Sequence, residues 1–357
     1  MTQEKKYYIK GSHDPRPESA RTVYVDGASG DNFREGIDVE LSHWRPNRTE
    51  KKYRAGTSTE ICFKYLHDSK ACDYDLVVNN HLDVDGVLSV FVLTHPILAL
   101  SHEAVLIKAA EAGDFWAWGE GKAFKLFQLM SILFEHLENS NIPIEEAYER
   151  SFSLLLRVLA DQNDQLGAET IIREQYTLVE HNKIIRQELN SRLVSYHVPY
   201  TTIQGELERY LRLPHFSEPI SDKLAFWPQV RNRLDAQKMH LVSFETPQGI
   251  HYELWAPGYS WADTEGLWQI PGVTMAQHIG GPNTLQWEKL SKIVEGLRAH
   301  ESGSCSWNLF PGFNFGQTMN PRAFPIIMST VDMKDLNKTS LIPVESVQEV
   351  FQVLVDS

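Results

Sequence analysis

DLVVNNHLDVDGVLSVFVL, Asp75 to Leu93, contains the change of pattern on which the fold turns. It opens with a continuous apolar run, Leu76-Val77-Val78, as short and β-branched as a buried strand. From Val87 it is apolar over helical length, until Pro96 interrupts it. Between the two, His81, Asp83 and Asp85 alternate, and Gly86 follows at once. Alternate residues of an extended segment share a face, so these three side chains project together. Glycine then allows a sharp turn or a close backbone approach. Strand, ligand-bearing loop and helix is the order expected at the carboxyl edge of an α/β sheet. Side chains at strand ends and free N–H groups at helix starts converge there on one crevice. One imidazole and two carboxylates suit manganese, magnesium or iron better than a thiophilic ion. The simpler reading is a solvated acidic turn that caps the next helix, with His81 an ordinary loop residue.

Working outward, Thr22 to Val25 reads as a strand that ends in Asp26-Gly27, and Asp26 is a weaker candidate ligand, with a plain turn residue as the alternative. IDVELSHW is a second strand with Val39, Leu41 and His43 on one face. Thr57 is an N-cap with Glu60 three residues on, the spacing of a capping box. SHEAVLIKAAEAGDF is a helix from an N-cap at Ser101 to a terminator at Gly113, and it delivers Asp114. Residues 1–20 form a polar arm, 21–121 an α/β metal-site domain, 122–213 a helical region and 214–357 a smaller α+β region. The helical region is taken to include ETIIREQYTLVEHNKIIRQELNSRLV. In the last region, MHLVSFETPQGIHYELWAP is a hairpin around TPQG, and LQWEKLSKIVEGLRAH and VESVQEVFQVLV are helices. The expected class is α/β: a parallel or mixed sheet core with a helical insert and an α+β C-terminal part.

The 357 residues are 42% hydrophobic and 23% charged, and a formal charge of -13 argues against a broad basic surface for long nucleic acid. A small phosphorylated substrate stays compatible, because a metal supplies positive charge locally. Three cysteines without a CxxC pair point away from a thiolate zinc site and towards a reducing compartment. No stretch is apolar for long enough to span a membrane, so the expectation is a cytoplasmic protein. GxSxG, Walker and dinucleotide-binding fingerprints are absent.

LSHWRPNRT gathers His43, Arg45 and Arg48 at a strand end, where forked guanidinium donors would clamp a phosphate or carboxylate; a plain surface loop is the alternative. His43 would join the metal set if its strand lay beside the central one. His278 with Gly280-Gly281 is a weaker anion-site candidate, and a simple turn explains it as well.

The run H-L-D-V-D-G-V-L-S, His81 to Ser89, resembles the first motif of the DHH phosphoesterase superfamily, above all its RecJ-like branch. The resemblance implies that His81, Asp83 and Asp85 hold a pair of divalent ions, usually manganese, with Ser89 at the helix start beneath them. It also makes Asp114, after the small-residue helix AAEAGDF, a further metal ligand. The Asp-His-His segment that names the superfamily does not occur between residues 86 and 357. LSHWRPNRT and NNHLDVDG together are also similar to an uncharacterised bacterial domain family.

The expected function is therefore a metal-dependent hydrolase, a phosphoesterase for a small phosphorylated or nucleotide-like molecule. Manganese is the first expectation, then magnesium or iron. The alternatives are a metal enzyme of another class, such as iron-dependent redox chemistry, and a non-catalytic binding protein with a degenerate site.

Overall fold

A computed structural model describes residues 5–27, 29–44, 46–138, 140–162, 168–203, 226–235, 238–255, 262–263, 287–309, 326–332 and 335–353. The chain forms two compact units. One is built on Met1–Thr170, to which Ala262 and Asp263 also belong, and the other takes most of the chain from Ile171 onward.

The first unit is a four-stranded, fully parallel sheet in the order β1-β4-β2-β3. Its strands are β1 (Lys6–Ile9), β2 (Thr22–Val25), β3 (Val39–Leu41) and β4 (Leu76–Asn79). β4 is flanked on both sides, pairing Val78 with Tyr8 of β1 and with Tyr24 of β2. Every residue of β2 and β4 is buried, as a parallel sheet covered on both faces requires. Because all four strands run the same way, Lys10, Asp26, Ser42 and Asn80 all emerge at one edge.

Helices cover this sheet: α1 (Ser58–His67), α2 (Val84–Thr94), α3 (Pro96–Leu100), α4 (Glu103–Asp114), α5 (Gly121–Glu138) and α6 (Ile144–Leu159). From Val84 to Leu93, α2 is buried on all sides, packed among β4, α1, α4 and α6. That explains why VDGVLSVFVL is apolar all round instead of striped. Each fully buried Val, Leu or Phe there contributes about 1.5–3 kcal/mol of apolar burial. Pro96 cannot continue α2, so the chain restarts as α3.

The second unit holds a mixed six-stranded sheet in the order β5-β6-β7-β8-β10-β9. Its strands are β5 (Ile185–Asn190), β6 (Leu193–Val198), β7 (Met239–Thr246), β8 (Gly249–Trp255), β9 (Asn308–Leu309) and β10 (Ile326–Ser329). β6 and β7 are parallel, and the other pairs are antiparallel. The expected hairpin around TPQG is β7–β8, closing at Thr246 opposite Gly249. The two expected helices run over Trp287–His300 and Val344–Gln352.

Several expectations need correction. The polar arm is partly core: Lys6 to Ile9 form β1, whose three-residue apolar run Tyr7 to Ile9 is masked by its charged flanks. α5 and α6 lie in the same compact unit as the parallel sheet, so the compact units divide near residue 170 and not at 121. The long helix read through KIIRQELNSRLV is not there. Its helix ends at Glu180, and β5 and β6 follow as a hairpin turning at Asn190. Ile185, Gln187 and Leu189 alternate as well as they fit a helical stripe, and pairing of β6 with β7 decides in favour of the strand. α4 begins after His102 instead of Ser101 and runs through Gly113 to Asp114. Among the described residues, no helix is long and apolar enough to cross a membrane.

Candidate metal centre

Asp26 sits immediately past β2 and is fully buried. Its backbone takes a φ of 41°, in the left-handed region that side-chain-bearing residues seldom occupy. Four groups fix the carboxylate. The Ser58 hydroxyl donates to Oδ1 at 2.8 Å, and the Trp44 indole N–H donates to the same oxygen at 3.0 Å. His43 Nε2 lies 3.4 Å from Oδ1, and His81 Nε2 lies 3.1 Å from Oδ2. One carboxylate thus faces two imidazoles, one with each oxygen.

On one side, His81 Nε2 also meets Asp83 Oδ2 at 2.9 Å. Its other nitrogen, Nδ1, is 2.6 Å from the amide oxygen of Asn80. That pairing places the Nδ1 proton on the Asn80 side and aims Nε2 at the carboxylates. Asp83 doubles as the N-cap of α2, accepting the Gly86 N–H on Oδ1 at 2.7 Å. The cap expected of this turn is thus present on Oδ1, while Oδ2 faces His81.

On the other side, His43 is wholly buried after β3, with Nδ1 2.7 Å from the Gly56 carbonyl. A carbonyl only accepts, so Nδ1 carries the proton and Nε2 faces Asp26, Asp85 and Asp114. The distances to Asp85 Oδ2 and Asp114 Oδ2 are 3.6 and 3.2 Å. Asp85 lies in the first turn of α2 and accepts the backbone N–H groups of Ser58 and Thr59 at 2.7 and 2.8 Å. The N-terminus of α1 thereby holds an anion at the site, as free helix donors do. Asp114 arrives from the last residue of α4.

Two overlapping donor sets result: Asp26, His81 and Asp83, and Asp26, His43 and Asp85. The ligand atoms of each lie within 4.8 Å of one another. Among the described residues, no lysine or arginine is paired with Asp26, Asp83, Asp85 or Asp114. Burial and the charge on Asp26 push the Asp85 carboxyl up to about 6, and burial with Asp85 beside it drives Asp114 well above the usual range. Burial also opposes charge on Asp26, yet His81 and His43 hold its pKa well below the ordinary value. His43 and His81 rise well above theirs, because the facing carboxylates outweigh the burial that disfavours a cation. Buried anions of this density need cations.

The space between the carboxylates depends on a glycine. A Cβ on Gly86 would collide with the Asn79 amide and approach Asp83 Oδ1 to 2.9 Å and Asp26 Oδ2 to 3.1 Å. Asp26 Oδ2 itself is buried and accepts no hydrogen bond among the described residues. A buried oxygen facing only an imidazole, oxygen and nitrogen donors, and an opening kept by glycine fit a hard divalent ion.

A family of unknown function (DUF6687) matches this chain over residues 12–221, more than half its length. The chain belongs to that family. All six residues of the cluster, Asp26, His43, His81, Asp83, Asp85 and Asp114, lie within the span that matches DUF6687. No curated protein and no solved structure matches the chain.

The structure brings together Asp26, His81, Asp83, Asp85 and Asp114, and it places His43, a candidate for substrate or metal, on the metal side. Arg45, His278, Gly280 and Gly281 lie outside the described residues. Arg48 does not join the cluster: its guanidinium bonds Ser29 Oγ at 2.9 Å and lies 3.8 Å from Glu40. Ser89 is buried in α2, 3.4 Å from the Thr59 hydroxyl, where it supports α1 against α2. Trp44, Ser58, Thr59 and Asn80 went unread. They hold the site through donors that any surface residue of those types also carries, so no spacing flags them.

Proposed function

We propose that this protein is a divalent-metal-dependent hydrolase of small phosphorylated molecules, in which Asp26 would help to hold one or two ions. The observation that carries the reading is the division of Asp26: Oδ1 faces His43, and Oδ2 faces His81. His81 and Asp83 would hold one ion, and His43, Asp85 and Asp114 the other. Manganese is the first choice, with magnesium or iron as alternatives, because oxygen donors predominate in the set. The resemblance of HLDVDGVLS to the first motif of the DHH phosphoesterases supports the phosphoester assignment. When bound, such ions lower the pKa of water and offset charge on an attacked phosphoryl group.

The chain's own residues do the positioning. The Asn80 amide and the Gly56 carbonyl orient the two imidazoles, each with Nε2 turned inward. Ser58 and Trp44 hold the Asp26 carboxylate through Oδ1, and the start of α1 fixes Asp85. Rigid placement of this kind removes reorganisation from the reaction coordinate.

Elemental analysis of protein purified without chelator, beside the Asp83→Ala variant, tests the proposal. Near-stoichiometric manganese or magnesium, reduced in the variant together with phosphatase activity on a substrate panel, is expected. Iron with no phosphoesterase activity would select redox chemistry instead. Unchanged metal and activity in Asp83→Ala would overturn the mechanism.

A further inference from the structure

A cavity of about 630 Å³ opens on the carboxyl edge of the parallel sheet, beside the ligand cluster. Its walls include Gly27 and Asn80, the chain neighbours of Asp26 and His81. These two walls meet across the ends of β2 and β4: a Cβ on Gly27, whose φ is 123°, would run into the Asn80 amide. The volume suits a small organic ligand rather than a single ion.

The charge of this cavity opposes that of the molecule. The chain carries a formal -13, yet among the described residues the charged side chains that line the cavity are Lys10 and Arg16, with no carboxylate beside them. Lys10 follows β1 and is exposed, and among the described residues its ammonium pairs with no acid. Arg16 bonds the Thr22 hydroxyl at 2.9 Å and stacks over the Tyr24 ring at 5.4 Å. It too faces no carboxylate among the described residues. Other surface cations of this unit, such as Lys5, Arg34 and Lys52, are neutralised by aspartates at 2.6–2.9 Å. Arg16 is preorganised by its stack and its hydroxyl partner, which leaves the rest of its donor fork for an anion. Tyr24 is buried beneath Arg16, and the half-buried Tyr8 also contributes to the wall. Asn32, Asn79, Asn80 and Ser29 give the wall hydrogen-bonding groups beside Val25 and Val78, which suits a hydroxylated body.

We propose that the substrate is a phosphorylated polyol with a second phosphate, and that Lys10 and Arg16 bind this distal phosphate. The proposal rests on the phosphoesterase reading for the reacting group at Asp26 and His81, and extends it to the far end of the substrate. Lys10 and Arg16 are binding residues for a group that does not react.

Calorimetric titration of the full chain with fructose 1,6-bisphosphate, and with fructose 6-phosphate as the singly phosphorylated control, tests it. Manganese-loaded protein is expected to prefer the bisphosphate at least tenfold. In the Lys10→Ala Arg16→Ala variant that preference should shrink to less than about threefold, through weaker bisphosphate binding alone, with metal content unchanged. Lys10→Arg should keep most of the preference that Lys10→Ala loses. Equal binding of the two sugars by the native protein overturns the proposal, as does failure to bind either. A variant that weakens both sugars alike overturns it as well. Repeating the titrations after chelation separates the two readings. If chelation leaves both affinities unchanged, the metal reading fails, while the tenfold preference and its loss in the variant still decide the distal-phosphate site.

Discussion

Asp26 concentrates the demands on this site in one residue: a left-handed backbone, full burial and a carboxylate turned to two imidazoles. An amide in its place keeps the shape but offers one acceptor oxygen, so Asp26→Asn should bind less than half the native metal by elemental analysis. Gly86→Ala tests the space between the ligands. The added methyl meets the Asn79 amide, Asp83 and Asp26, so metal affinity should fall at least tenfold, although alanine is the better helix former. Overpacking of this kind costs about 1–3 kcal/mol, measurable by urea unfolding of the metal-free protein. His81, Asp83 and Asp85 were legible as a set because three donors fall within five residues, between an apolar run and a glycine. His43 and Asp114 were legible only as single residues at element ends, and proximity to one another was not.

At the scale of the element, α1 does more for the site than its own sequence suggests. Thr57 caps it by accepting the Glu60 N–H at 3.1 Å, as its spacing predicted. Glu60 reaches back to the Gly56 N–H, one residue earlier than a standard capping box, and Gly56 supplies the carbonyl that orients His43. Thr57→Ala should cost about 1 kcal/mol of stability. A lower urea midpoint with unchanged metal content would separate cap from ligand shell. In the second unit, Arg186 grips Asp235 with two bonds of 2.6 and 2.7 Å, and the Tyr196 hydroxyl donates to the same carboxylate. The Asp235 carboxylate is 1% exposed, and Arg186→Ala leaves it only the Tyr196 hydroxyl and Lys238 at 3.3 Å, so the loss should cost about 1–3 kcal/mol, read from denaturant unfolding of that unit.

For the molecule as a whole, acid should act on the second unit through His240. Burial, with the positive charge of Arg231, pushes this imidazole down to about 3, and its Nε2–H donates to the Asp235 carbonyl at 2.9 Å. The depressed pKa favours the fold above the unfolded value, about 6.5, and the benefit drains away as pH falls towards 3. Over that window the unfolded chain binds one proton more, so stability drops about 1.4 kcal/mol per pH unit. Replacing His240 with Gln keeps a donor and should flatten the slope by that amount, measured by unfolding at stepped pH. Metal removal should act elsewhere. With its buried carboxylates left uncompensated, the first unit should exchange amide protons faster along β2 and β4 after chelation. The β6–β8 amides of the second unit should be unaffected.

From sequence alone came the class, the strand at Leu76, the helix that Pro96 ends, the TPQG hairpin and the clustering of donors in HLDVDG. These depend on local chemistry: two-residue or helical period, proline geometry and the close spacing of donors. Tertiary structure decided the rest. KYYI was hidden among charges, and KIIRQELNSRLV had a pattern that serves strand or helix; pairing with β4 and β7 settled each. Above all, the order β1-β4-β2-β3 puts the ends of β2 and β4 side by side and β3 one place beyond. Only that order draws Asp26, His43 and His81 to one point, because hydrogen-bonded pairing joins residues distant in the chain and leaves no periodic trace within it.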